Sequence, residues 1–239
     1  HYSMWLEEQG KPQRDYSIGF SNAPGMKINF NFDAENEAAR KINRNVDFRR
    51  ALSLAIDRQA ISRTLAFDLM TPIGAAWAPD SPYFDEKTGY LYSEYDPEKA
   101  KKILDDANII DRDNDGVREL PSGEKLELIW DMYAHDLYTP MSEMIVETVK
   151  EVGINLILNE KHQTLHNKNF TSGNFELSTH DFESYNEPLL MIDKWIPTKP
   201  GSPNFHVKAY EKGGFSSEYN EFTRLLKQAN TTSIEEGIA

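Results

Sequence analysis

The chain has 239 residues, 39% of them hydrophobic and 27% charged, with 12 Phe, 11 Tyr and 4 Trp, a mixture that buries a core and excludes global disorder. Lys and Arg number 26 against 39 Asp and Glu, and the resulting net charge of −13 repels phosphate backbones, which argues against nucleic-acid binding. With no cysteine, disulfide frameworks, thiolate zinc sites and cysteine nucleophiles are excluded together, and no apolar run approaches the roughly 20 residues that span a bilayer.

Residues 1–25 are rich in Gly, Pro and charge and read as a loosely structured lead-in; His1-Tyr2-Ser3-Met4 does not have the pattern of a signal peptide. Ile28, Phe30 and Phe32 alternate with polar residues and predict a half-buried strand from Met26. The period then changes. Val46, Arg50 and Leu54, with Ala51 and Ala55, fall at helical spacing, and Phe48, Leu52 and Ile56 widen the apolar face. Asp57 is expected to cap a second helix carrying Ile61 and Leu65, which Thr71-Pro72 should end. The segment from Thr71 to Asp96 reads as a long irregular loop with Trp77, Tyr83, Phe84, Tyr90, Tyr92 and Tyr95.

Asp96-Pro97-Glu98 is a helix start: a capping side chain, proline at the first helical position, then an acid facing the positive helix end. Ala100, Ile103, Leu104 and Ala107 form its buried stripe, and Asn108 is its expected left-handed stop. Leu126, Leu128, Trp130 and Met132 predict a strand over Lys125 to Tyr133. Thr139-Pro140 opens a helix bearing Met144, Ile145, Val149 and Val152, closed by Gly153. Ile154, Leu156 and Leu158 predict another strand, and Tyr219, Phe222, Leu225 and Leu226 a last helix near Glu218 to Gln228. Strands separated by helices imply an α/β fold, a mixed sheet flanked by helices, in one domain.

Among chemistry-bearing patterns the sharpest is Asp111-Arg112-Asp113-Asn114-Asp115-Gly116-Val117-Arg118-Glu119. Carboxylates at alternate positions followed by Gly open a calcium loop, because hard oxygen ligands must converge on one ion. Asp111, Asp113, Asp115, Glu119 and the Val117 carbonyl can supply ligands, but the twelfth position, normally a bidentate Glu, is Ser122. The alternative is an acidic turn whose side chains bond local amides. His162 and His166 sit four apart, a metal-ligand spacing on a helix, yet Lys161 to Asn169 has poor helical periodicity and reads as a polar surface loop. His180-Asp181 suggests a catalytic dyad, but neighbours in a strand point apart and no GxSxG elbow completes it. GxGxxG and P-loop motifs are both missing. Trp77, Tyr83, Trp195 and Phe205 fall in loops, where aromatic faces either line a ligand cleft or pack beneath the loop.

Phe48-Arg49-Arg50-Ala51-Leu52-Ser53-Leu54-Ala55-Ile56-Asp57-Arg58-Gln59-Ala60-Ile61 resembles the helix pair of the dipeptide/oligopeptide-binding family of ABC-transporter solute-binding proteins, bacterial family 5. Tyr95-Asp96-Pro97-Glu98-Lys99-Ala100, the acidic segment, Glu151-Val152-Gly153-Ile154-Asn155-Leu156, Tyr185-Asn186-Glu187-Pro188 and Gly213-Gly214-Phe215 follow in the family's order. The resemblance implies a periplasmic-binding-protein-like lobe, the C-terminal one of a two-lobed protein whose N-terminal lobe is missing from this chain. It further implies a secreted protein, periplasmic or a cell-surface lipoprotein, whose lobes close on a solute and deliver it to an ABC permease without altering it.

Ligand contacts are then expected at Trp77, Asp181, Glu183, Ser184, Tyr185, Asn186 and Trp195. One departure stands out. Peptide-binding members often carry W-x-x-D before the proline segment, the Asp holding the peptide's amino terminus, whereas Ser184 lies four residues before Pro188 and Asp181 seven. A neutral Ser cannot match a buried carboxylate in holding an ammonium group. An oligopeptide, the family's commonest ligand, is the expected solute; the departure makes an oligosaccharide stacked on Trp and Tyr the alternative. The contrasting expectation is a carboxylate-dependent hydrolase using His180 and Asp181.

Overall fold

Ile28 and Phe30 alternate with Lys27 and Asn29 in β1 (Gly25–Phe30) and turn inward onto the core. The structure is a computed structural model and describes residues 25–74, 81, 84–182, 217–229 and 231. Asn36 and Asn45 each accept from two backbone N–H groups of the turn that follows, and so start α1 (Glu37–Arg44) and α2 (Val46–Leu54) in quick succession. The first of these helices is not legible from spacing, because it buries only Ala39, Ile42 and Asn43. Asp57 caps α3 (Arg58–Ala66) as expected, accepting from the Ala60 N–H at 2.8 Å.

α3 stops well short of Thr71-Pro72. Phe67 and Asp68 take left-handed conformations, at φ 52° and 61°, and the Ser62 hydroxyl both donates to the Met70 carbonyl and accepts from its N–H, folding the chain back. The family-like segment works inside the protein. Phe48, Ala51, Leu52, Leu54 and Ala55 are buried, Arg49 donates to the Asn43 carbonyl at 2.6 Å, and Arg58 donates to the Ser53 carbonyl at 2.7 Å. Burial pushes the Arg58 guanidinium down to about 10. That segment ties helices together.

The irregular stretch after α3 contains one turn of helix, α4 (Glu86–Gly89). Asp96 caps α5 (Pro97–Asp106) by accepting from the Lys99 N–H at 2.9 Å, and Asn108 is left-handed at φ 57°. The remaining elements are β2 (Glu127–Tyr133), α6 (Tyr138–Lys150), β3 (Asn155–Lys161), α7 (Gln163–Ser172), β4 (Leu177–Phe182) and α8 (Ser217–Ala229). α7 replaces the polar loop expected around His162 and His166. His162 caps it, its Nδ1 accepting from the Thr164 N–H, and Gly173 ends it at φ 71°.

The sheet is mixed, in the order β1-β4-β2-β3. β2 pairs in parallel with β3 (Leu128 opposite Leu156) and with β4 (Trp130 opposite Leu177), while β1 runs antiparallel to β4 (Gly25 opposite Phe182). Leu128, Trp130, Leu156 and Leu177 point to one face and form the core with Phe48, Leu104, Ile145 and Val149 from α2, α5 and α6. Because side chains alternate along a strand, Ile129, Asp131, Tyr133, Ser178 and His180 occupy the other face, where α7 packs.

Candidate functional site at the carboxyl edge of the sheet

β2, β3 and β4 run the same way, so their carboxyl ends at Tyr133, Lys161 and Phe182 share one edge, and β1 begins there at Gly25. From β2 the chain steps outward through α6 to β3, then returns through α7 across β2 to β4. α6 covers the core face and α7 the opposite one. Where strand order reverses in this way the connections diverge to opposite faces and leave a crevice outside the carboxyl ends. Asp181 is the penultimate residue of β4, its backbone opposite Met26, and therefore lies at this edge. Glu183 to Asn186 follow β4 directly in the sequence, but Trp77, Glu183, Ser184, Tyr185, Asn186 and Trp195 lie outside the described residues, as do Tyr83 and Phe205.

The edge holds polar groups that spacing did not single out. Asp131, 2% exposed, accepts from Asn159 Nδ2 at 2.8 Å and forms an ion pair with Lys161 Nζ. Both partners come from β3, whose register sets Asn159 opposite Asp131 and Lys161 opposite Tyr133. The available signal was a charged residue inside the otherwise apolar run Ile129-Trp130-Asp131-Met132. Behind this pair, His166 Nε2 and the Ser178 hydroxyl are 3.0 Å apart, and His166 Nδ1 is buried without a partner among the described residues. Burial lowers the imidazole's affinity for a proton below its ordinary value, so the neutral form is favoured.

Aromatic rings complete the edge. Tyr133 meets the His166 ring edge-on at 5.1 Å, His135 stacks on Tyr138 at 4.2 Å, and Phe170 lies 4.7 Å from His180. Tyr138 and His166 are buried, whereas Tyr133, His135, Phe170 and His180 are half-buried or exposed, and rings of that kind beside polar groups suit a solute with flat apolar faces and many hydroxyls or amides. His162 and His166 do separate work: His162 Nδ1 caps α7, and His166 Nε2 faces the Ser178 hydroxyl. A hollow of 390 Å³ lined by Arg58, Gln59, Pro72, Tyr90, Ser93, Glu94 and Tyr95 shares no residue with this edge.

The acidic loop lies at the other end of the sheet, just before β2. Asp111, Asp113, Asp115 and Glu119 each bring one carboxylate oxygen within 4.8 Å of the others. Asp111 accepts from the Gly116 N–H at 3.0 Å, Asp115 from the Val117 N–H at 2.8 Å, and Glu119 Oε2 from the Arg112 N–H at 2.6 Å. The Lys125 ammonium, which also sits 3.4 Å from Asp113, holds the Asp115 carboxyl below the usual carboxylate range by hydrogen bonding to it.

Residues 3–195 match the family described as bacterial extracellular solute-binding proteins, family 5 middle. The periplasmic alpha-galactoside-binding protein of Rhizobium meliloti (strain 1021) is 27% identical over 194 residues, covering 76% of this chain and 27% of that protein. The solved structure of the oligopeptide-binding protein OppA has a TM-score of 0.78 at 24% identity, over 90% of this chain and 38% of its own. The periplasmic binding protein MelB from Agrobacterium fabrum C58, in complex with stachyose, has a TM-score of 0.78 at 17% identity, over 99% and 38%. At these identities the structural likeness speaks for the fold. The chain spans well under half the length of each of the three.

Proposed function

Because the chain belongs to the bacterial extracellular solute-binding proteins of family 5, we propose that it forms the C-terminal lobe of a two-lobed clamp that captures an oligomeric solute for an ABC permease. The family match over residues 3–195 carries this reading. The reversal of strand order supports it, since α/β proteins hold ligands outside the carboxyl ends of their strands at such a point, where residues of a second lobe can close over them. The protein works outside the cytoplasmic membrane, either free in a periplasm or held at the surface as a lipoprotein. It releases its solute unaltered, in keeping with relatives that are named as binding proteins.

An oligosaccharide is the better-supported solute. The relative that binds alpha-galactosides is 27% identical over 76% of the chain. In addition, Ser184 stands where peptide binders place a carboxylate for the amino terminus, and the half-buried Tyr133 ring and the exposed His135 ring offer faces of the kind that sugars use. An oligopeptide is the second reading, supported by the likeness to OppA. Isothermal titration of the complete polypeptide containing this chain, with raffinose, stachyose and a tetrapeptide mixture, separates the two. Saturable binding of a galactoside, recovered intact by mass spectrometry, is expected. Cleavage of the solute, or no binding of either class, would defeat the proposal.

A further inference from the structure

We infer that the connection between α5 and β2 is a calcium site built from Asp111, Asp113, Asp115 and Glu119. Ligands at 2.3–2.6 Å from a Ca2+ ion lie at most about 4.6–5.2 Å apart, and the four carboxylate oxygens fall within 4.8 Å of one another. Convergent acids alone do not make a site, because like charges repel. The second observation is the state of the oxygens. Glu119 is only 6% exposed, and among the described residues its Oε1 is buried with no hydrogen-bond partner; Asp111 Oδ1 is likewise buried and unpartnered. A buried carboxylate oxygen without a donor costs far more than an ordinary unpaired polar atom. Both oxygens belong to carboxylates of the converging cluster, and a divalent cation bound there supplies the positive partner they lack.

The loop's backbone fits the same ion. Gly116 sits at φ +89° with nothing within 4 Å of where a Cβ would be, in the sharp-turn position that follows the third Asp, and Val117 comes next with its carbonyl. Two features set the affinity. Ser122 replaces the bidentate Glu of the tightest loops, and Lys125 places an ammonium against Asp113 and Asp115. An arriving ion must displace that ammonium, so the site is weak, in the range of extracellular calcium modules near 10⁻⁴ to 10⁻³ M. Its role is structural. Glu119 bridges to both Ile110 and Lys125, the Arg118 N–H donates to the Gly153 carbonyl, and the Leu126 N–H donates to the Arg118 carbonyl. The ion thus fastens α5, β2 and the turn before β3 at the sheet's amino edge, away from the proposed crevice.

The test is thermal melting and calorimetric titration of the EGTA-stripped protein with CaCl2 and with MgCl2. About 5 mM Ca2+ is expected to raise Tm by on the order of 5 °C, and Mg2+, which demands tighter octahedral geometry, much less. Asp113→Asn, at an exposed position, should abolish the calcium shift. Lys125→Met should enlarge it and tighten binding by about tenfold, because the competing ammonium is gone. An equal response to both ions, a wild-type response in Asp113→Asn, or no calcium heat in either wild type or Lys125→Met would overturn the assignment.

Discussion

Lys161→Met is the sharpest probe of the carboxyl edge. In the native protein the Lys161 side chain is 17% exposed and the Asp131 side chain 3%, so the substitution removes the cation and leaves a buried carboxylate to which, among the described residues, only Asn159 donates. Breaking a buried pair from one side costs about 3–5 kcal/mol. Partial exposure of Lys161 and the surviving Asn159 bond place this case near the lower end, about 3 kcal/mol. For a chain of this size that lowers Tm by roughly 6–12 °C. Asp131→Asn frees Lys161 to reach water and should cost about 1 kcal/mol. The double variant, lacking both charges, should be more stable than Lys161→Met alone, with a coupling energy of about 2 kcal/mol. Urea titration with m held constant measures all three. If Lys161→Met costs less than about 0.5 kcal/mol, or the two substitutions add, the pair does not organise this edge.

Phe48, 0% exposed and edge-on to Phe30 at 6.2 Å, should cost about 3–5 kcal/mol when replaced by Ala, read as a lower urea midpoint. Gly153→Ala should cost about 2 kcal/mol or more, since at φ +82° the new Cβ is strained and lies 2.8 Å from Arg118 Cγ; Gly123→Ala, at φ +98° in open space, should cost only the strain, about 1 kcal/mol. Equal midpoints for the two glycine variants would show that Arg118 yields freely. His166 gives a pH dependence of fixed sign. Its proton affinity is lowered on folding, so the unfolded chain binds more protons, and stability falls as pH drops through the ordinary histidine value of 6.5. His166→Gln should show a flatter melting profile between about pH 7.5 and 5 than the wild type, and an identical slope would assign the loss to other groups.

Elements whose signals are local were legible. Asp57, Asp96 and Asn108 mark helix ends by their own side chains or backbone freedom, and β2 and β3 announce themselves by alternation. α1 was not visible because a helix that buries two apolar side chains leaves no stripe, and its start depends on the Asn36 cap. α7 was missed for a related reason: its inward side is His166 and Phe170, which do not read as a periodic apolar face. The acidic loop was fully legible, since all four carboxylates fall within nine consecutive residues and the chain need only curl to bring them together.

The carboxyl edge behaves differently. Asp131 finds Lys161 and Asn159 only after α6 has carried the chain over to β3, and His166 meets Ser178 only because β4 inserts on the other side of β2. Side-chain period and capping chemistry act over a few residues, and the amino-acid order alone therefore specifies an alternating α/β chain, its caps and the acidic turn. Which strand lies beside which is a matter of long-range burial and register. That tertiary choice alone assembled the buried ion pair, the aromatic rim and the reversal of strand order at which the solute crevice is proposed.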